Sequence, residues 1–477
     1  MNCSQAINSI DIIQTIQQAS LKLQYDSYVV GGFVRDYLLK KPSKDIDIVC
    51  LGDGISLAKE VAAKLDPPAK VHVFKNFGTA MLKHNDLEIE FVGARKESYQ
   101  RDSRKPKVAS GSISDDQLRR DFTINALAIS LNKNDYGLLL DPFDGFSDLE
   151  KGIIRTPNSP EVTFSDDPLR MLRAVRFASE LQFDIEPDTF NAITTNLERL
   201  EIVSQERIVV ELNKIIASLK PSYGFKLLYH SGLLNLIFPE MVALQGVDTI
   251  NGRSHKDNFY HTLQVLDNVA KTSDDLWLRW SAILHDIAKP ITKRFHEKAG
   301  WTFHGHEDKG ARMVPEIFRR LRLPMNDKMK LVQKLVRLHL RPIALVKEQV
   351  TDSALRRLIF EAGDDLEALM ILCRADITSK NHEKVKKYLR NFDLVEQKLI
   401  KVEEKDKLRN FQPVITGQHI MEVFALKPGK IVGELKDALK EAVLEGKIRN
   451  ELPSAYEYML EIAKEKGLKV VNPLNIP

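Results

Sequence analysis

The stretch from Tyr28 to Cys50, YVVGGFVRDYLLKKPSKDIDIVC, constrains the rest of the chain more than any other. It reads as a short strand, a glycine pair, a short helix, and a second strand that carries two aspartates. Side chains alternate across a strand, so Asp45 and Asp47 point to one face. Two carboxylates held close together repel each other unless a cation lies between them, and a hard, oxygen-seeking ion such as Mg²⁺ suits them. Gly31 and Gly32 open the helix beside this pair, where bare backbone N–H groups can meet a phosphate. A phosphate cradle next to a carboxylate pair points to nucleotidyl transfer.

The 477 residues are enough for several domains, each with its own core. Basic and acidic residues nearly balance, 70 against 66, so any preference for nucleic acid must come from local clustering. Cys3, Cys50 and Cys373 are scattered and odd in number, which fits a reduced cytoplasmic protein and neither a disulfide framework nor a cysteine-rich zinc site. No basic start followed by an apolar core reads as a signal peptide, and no uncharged apolar run is long enough to span a bilayer. The expectation is a cytoplasmic protein without a membrane partner; the sequence leaves the oligomeric state open.

Around the opening stretch, residues 5–24 read as one amphipathic helix and 55–65 as another. Strands are expected at Val71–Phe74 and Thr79–Leu82, joined by a turn at Asn76-Phe77-Gly78. Residues 87–92 alternate, with Leu87, Ile89 and Phe91 on one face and Glu88 and Glu90 on the other, so one glutamate could be a third carboxylate facing the aspartates. The stretch from Arg95 to Lys107 holds six basic residues and reads as a loop suited to phosphates. From about residue 160 the pattern is helical. In the helix expected over 166–178, Asp167, Arg170, Arg173 and Arg176 recur every three residues, a stripe that is by itself compatible with a solvated charged face. After a hydrophilic break at 252–258 come His261, the pair His285-Asp286, His304, His306, His339 and Asp376. The expected division is 1–155, 156–245, 246–400 and 401–477.

Three motifs in order carry a resemblance. Gly31-Gly-Phe-Val-Arg-Asp36 with Asp45-Ile-Asp47, then Arg119-Arg-Asp-Phe-Thr-Ile-Asn-Ala126, then Asp167-Pro-Leu-Arg170 followed by Arg173 and Arg176 resemble the class II tRNA nucleotidyltransferases. These are the CCA-adding enzymes and their bacterial poly(A) polymerase relatives, within the DNA polymerase β-like superfamily. The later histidines and aspartates resemble an HD domain. The implied fold is α+β: a polymerase β-like nucleotidyltransferase head with a mixed sheet, then an all-α neck, an HD domain and a helical tail.

The resemblance implies that Asp45 and Asp47 bind catalytic Mg²⁺, with Glu90 as third carboxylate. It further implies that Gly31, Gly32, Arg35 and Arg120 hold the triphosphate, oriented by Asp36 and Asp121. Asp167 and Arg170 would select the base. A carboxylate only accepts hydrogen bonds and a guanidinium only donates them. Cytosine and adenine both offer an exocyclic amine beside a ring-nitrogen acceptor, so one protein template suits both. Arg173 and Arg176 would extend this contact to the nucleotide. The implied activity is template-independent addition of C, C and A to tRNA from CTP and ATP, with poly(A) or partial addition as rivals. His261, His285, Asp286 and Asp376 match the ligand order of HD phosphohydrolases, which implies a second divalent metal and hydrolysis of 2′,3′-cyclic or 2′-phosphate ends.

Overall fold

The computed structural model describes residues 1–477 except 76–77, 101–102, 348–350, 380, 407–408, 410 and 475–477, and it describes only the backbone of 6, 97–100, 103–107, 346–347 and 382. The expected turn at Asn76 and Phe77 therefore lies outside the described residues. The chain forms two compact units, Met1–Val242 and Ala243–Pro477.

The first unit is built on a seven-stranded mixed sheet of strands β1 (Ser27–Val30), β2 (Asp45–Cys50), β3 (Val71–Phe74), β4 (Thr79–His84), β5 (Leu87–Gly93), β8 (Ala128–Ser130) and β9 (Leu139–Leu140), in the order β3-β4-β5-β2-β1-β8-β9. Among the described residues of this sheet, β2 and β5 alone pair in parallel; their register sets Asp45 opposite Glu88 and Asp47 opposite Glu90. The alternation along these strands divides the sheet into two chemically different faces. Ile46, Ile48, Ile89 and Phe91 are fully buried in the main core, together with Ile12, Ile13 and Ile16 of α2 (Asp11–Leu23) and Leu57 and Val61 of α4 (Gly54–Lys64). Each such side chain contributes roughly 1.5–3 kcal/mol by leaving water. The carboxylates occupy the other face. Directly after β1 comes α3 (Gly32–Leu38), whose Phe33 and Val34 join the main core.

Two expectations are corrected here. The helix expected over 5–24 is two, α1 (Ser4–Asn8) and α2, because Ile10 is extended between them. The break accommodates an anchored start: Cys3 donates its N–H to the carbonyl of Gly137, and Met1 accepts from Leu139. The basic stretch 95–107 is likewise not a loop. Its backbone forms an antiparallel hairpin of β6 (Arg95–Gln100) and β7 (Ser103–Ser110), pairing Lys96 with Ala109 and Ser98 with Lys107. Arg101 lies outside the described residues, as do the side chains of Tyr99, Arg104, Lys105 and Lys107. Charge density marks exposure and is silent on cross-strand pairing, so a polar hairpin and a polar loop look alike in sequence.

After α5 (Ile113–Leu118) and α6 (Gly145–Lys151), the chain is helical through α7 (Pro160–Asp166), α8 (Leu169–Leu181), α9 (Pro187–Thr195) and α10 (Gln205–Ala217). Asp167 is extended between α7 and α8 (φ −134°, ψ 99°). Pro168 disfavours helical geometry in the residue before it, so the expected single helix starts only at Leu169.

In the second unit the helices Asn258–Ala270, Leu276–Leu284, His306–Arg320, Asp327–Leu338 and Leu366–Asp376 carry the histidines and aspartates. The helices Gly417–Phe424, Lys430–Glu445 and Leu452–Glu465 share a separate core that includes Ile420, Leu435 and Met459.

Candidate active site and a buried histidine–aspartate cluster

The parallel ladder sets Asp47 and Glu90 side by side, with Asp45 two residues away on the same face. Burial raises the pKa of the Asp47 carboxyl, and Glu90, Asp45 and Asp116 push it further against the pull of Arg120. A site that makes a carboxylate this costly to ionise suits a divalent cation with oxygen ligands. Gly31 closes the site from the other side. Its φ of +75° favours glycine, and a Cβ there would lie 2.9 Å from Arg120 Nη1 and 3.3 Å from Asp47 Oδ2. Gly32, by contrast, has room for a Cβ, the nearest atom being Arg35 Nη2 at 3.8 Å.

The arginines are held by a network that differs from the expected one. Arg35 makes a two-pronged pair with Asp36 (2.8 and 2.9 Å) and donates to Asn125 Oδ1 at 2.8 Å. Asp121 does not orient Arg120. Asp116, with no exposed side-chain surface, accepts from Arg120 Nε and Nη2 at 3.1 and 2.9 Å and also pairs with Arg119. The i, i+4 spacing of Asp116 and Arg120 was available in the sequence as a signal. Asp121 instead reaches across to the neck, accepting from Arg173 Nε at 2.7 Å while its other oxygen accepts from Asn125 Nδ2 at 3.0 Å and Phe122 N at 2.9 Å. Burial alone would raise its pKa; Arg173, Asn125 and Arg170 together hold it down to about 2.

Asp167 and Arg170 stand at the start of α8. Asp167 Oδ1 accepts from Leu169 N at 3.2 Å, and its Oδ2 lies 3.7 Å from Arg207 Nη2, a neighbour that sequence reasoning did not single out. Arg170 Nη2 donates to the carbonyl of Arg119 at 2.6 Å, which joins the neck to the segment bearing Arg120. Arg176 is the exception in the stripe. It is 6% exposed, pairs with Glu211 at 3.0 Å and Glu180 at 3.4 Å, and so stands inside the neck, apart from Asp167 and Arg170. A three-residue repeat winds around a helix, so its last member turns away from the face on which the first lies.

In the second unit His261, His285 and Asp286 bring their ligand atoms within 4.8 Å of one another, and so do Asp286, His306 and His339. Asp376 Oδ1 is 2.9 Å from His261 Nε2 and 3.7 Å from His285 Nε2. His285, His306 and His339 each direct Nδ1 at a backbone carbonyl, those of Ala282, Phe303 and Val336, at 2.6–2.7 Å. That leaves every Nε2 aimed inward, the arrangement that fixes an imidazole as a ligand. His285 Nε2 is buried without a well-formed hydrogen bond, although Asp286 Oδ2 lies 3.2 Å away. Such an orphaned nitrogen among carboxylates fits a metal ion. His304 is exposed and takes no part.

With this geometry in place, three family descriptions match: "Poly A polymerase head domain" over residues 27–155, "Probable RNA and SrmB- binding site of polymerase A" over 182–244, and "HD domain" over 258–381. An A-adding tRNA nucleotidyltransferase of Deinococcus radiodurans is 32% identical over 431 residues, covering 88% of this chain and 92% of that protein. One of Aquifex aeolicus is 45% identical over 188 residues, 39% of this chain but only 22% of its own length. Other relatives bear the name CCA-adding enzyme. Among solved structures, a tRNA nucleotidyltransferase complexed with a primer tRNA and an incoming ATP analog superposes with a TM-score of 0.56 at 26% identity, over 80% of this chain and 99% of that one. The chain therefore belongs to the tRNA nucleotidyltransferase and poly(A) polymerase family. It is a metal-dependent nucleotidyltransferase with an HD domain, and none of its described helices is long and apolar enough to cross a membrane.

Proposed function

We propose that this enzyme adds C, C and A to the 3′ end of tRNA from CTP and ATP, without a nucleic-acid template, in the cytoplasm. The observation that carries the reading is the juxtaposition of Asp47 and Glu90 in one parallel ladder with Gly31 and Arg120 packed against them. Asp45, Asp47 and Glu90 would hold Mg²⁺. When bound there, the ions lower the pKa of the RNA 3′-hydroxyl and neutralise the leaving pyrophosphate. Arg35 and Arg120, each set by its own aspartate, bind the triphosphate, and the missing Cβ at Gly31 lets it approach. Asp167 accepts from the base amine and Arg170 serves the ring nitrogen. Uracil and guanine reverse that order and would leave buried groups unpaired at about 1–3 kcal/mol each. In this reading the chain divides into a head (1–155), a nucleotide- and RNA-binding neck (156–245), an HD domain (246–400) and a tail (401–477).

Replacing Asp45 and Asp47 together by alanine should abolish CTP and ATP incorporation into tRNA lacking its end; retained incorporation sinks the proposal. The full-length likeness to an A-adding enzyme makes addition of A alone the rival outcome. Incorporation of each nucleotide on tRNAs ending before each of the three final positions separates the two. A second reading concerns the HD cluster, where the orphaned His285 Nε2 favours a metal-dependent phosphohydrolase acting on 2′,3′-cyclic or 2′-phosphate ends. Release of phosphate or ring opening by the wild type, absent in His285→Ala, is its test.

A further inference from the structure

The ring of Phe177 on α8 is 4% exposed, and three guanidinium groups converge on it. Those of Arg176, Arg35 and Arg173 lie 3.9, 5.0 and 5.3 Å from its centroid, while Phe122 meets it edge-on at 5.8 Å. An ordinary core phenylalanine is surrounded by apolar atoms; here one buried ring serves three like charges. Each guanidinium has its own acid, Asp36 for Arg35, Asp121 for Arg173 and Glu211 for Arg176, so charge balance does not account for their convergence. The negative faces of an aromatic ring attract cations, and most strongly when water is excluded. Arg35 belongs to the head and Arg173 to the neck helix. They are also joined through polar atoms, because Arg35 donates to Asn125, which donates to Asp121, which accepts from Arg173. The ring underlies both ends of that chain.

We propose that Phe177 is a positioning residue for nucleotidyl transfer: its shared ring fixes the guanidinium of Arg35 relative to the base-selecting helix, so that triphosphate and base are held in register. This rests on the reading of Arg35 as a triphosphate ligand. The proposal concerns the π face and not the bulk of the side chain, which makes the two separable. Phenylalanines of rising fluorine content at position 177 keep the shape and drain the face of negative potential.

Across that series KM for CTP and ATP should rise progressively, to roughly tenfold at full fluorination, while kcat of the folded molecules stays near that of wild type. Phe177→Leu, apolar and without a π face, should show the same rise in KM among its folded molecules. A structural role alone would lower the active fraction, and hence kcat, and leave KM where it was. A KM that stays flat across the fluorinated series overturns the proposal, whatever Phe177→Leu does, because a rise in Phe177→Leu alone reports the bulk of the ring. Wild type and Arg35→Gln are assayed alongside. If Arg35→Gln keeps the wild-type KM for CTP and ATP, the reading of Arg35 as a triphosphate ligand has failed and the positioning proposal falls with it. If its KM rises while KM stays flat across the fluorinated series, Phe177 alone has been misjudged.

Discussion

At Gly31 the absence of one carbon makes room for the side chains of Arg120 and Asp47. The Cβ of an alanine would displace the guanidinium of Arg120 and crowd the carboxylate of Asp47, and a backbone at φ +75°, ψ −135° adds strain of about 1–3 kcal/mol. Gly31→Ala should therefore lose about 100-fold or more in nucleotide incorporation while its melting temperature falls only modestly, as differential scanning calorimetry beside a turnover assay would show. Gly32→Ala, where space is open, should be much milder. Asp121 makes a prediction about acid. Its carboxyl titrates at about 2 in the folded chain and near 3.9 when unfolded, so its ionisation stabilises the fold at all pH values above about 4, and this contribution is lost as pH falls towards 2. The unfolding free energy of Asp121→Asn from urea titration should lie below that of wild type by roughly 2 kcal/mol at neutral pH, and the gap should close between pH 4 and 2.

At the level of the element, α8 shows what sequence patterns reveal and what they hide. The alternation in 45–50 and 87–92 was legible because one face of each strand had to meet the core, and Asp45 and Asp47 came with it, while the choice of Glu90 over Glu88 came from the family resemblance. The pairing of Asp121 with Arg173 was not, since 52 residues separate them and no local rule links an acid after a turn to an arginine in a later helix. The burial of Arg176 was hidden for the same reason: its partner Glu211 lies on α10 and looks like a surface glutamate in sequence. Removing one member of such a pair leaves the other charge stranded. Arg176→Leu should cost about 3–5 kcal/mol, and Arg176→Leu with Glu211→Leu should recover most of it. A double-mutant cycle on chemical unfolding measures both; a double variant no more stable than the single one contradicts the buried-pair account.

At the scale of the whole molecule, the head carboxylates form an oxygen-rich set and the HD cluster is built on imidazoles. His285→Ala should lose bound transition metal, counted by elemental analysis, and keep wild-type nucleotide incorporation; a matched loss of incorporation would show that the two sets are coupled. The parallel pairing of β2 with β5 has a different kind of consequence, for how the gene can change in length. Because Asp47 and Glu90 meet through a ladder and not through the chain between them, residues inserted in the turns that join α4, β3, β4 and β5 leave their spacing intact. A single residue lost inside either strand exchanges its two faces, sending a carboxylate into the apolar core and an isoleucine to the carboxylate face. Insertions and deletions in this family should therefore be frequent between the two strands and nearly absent within them.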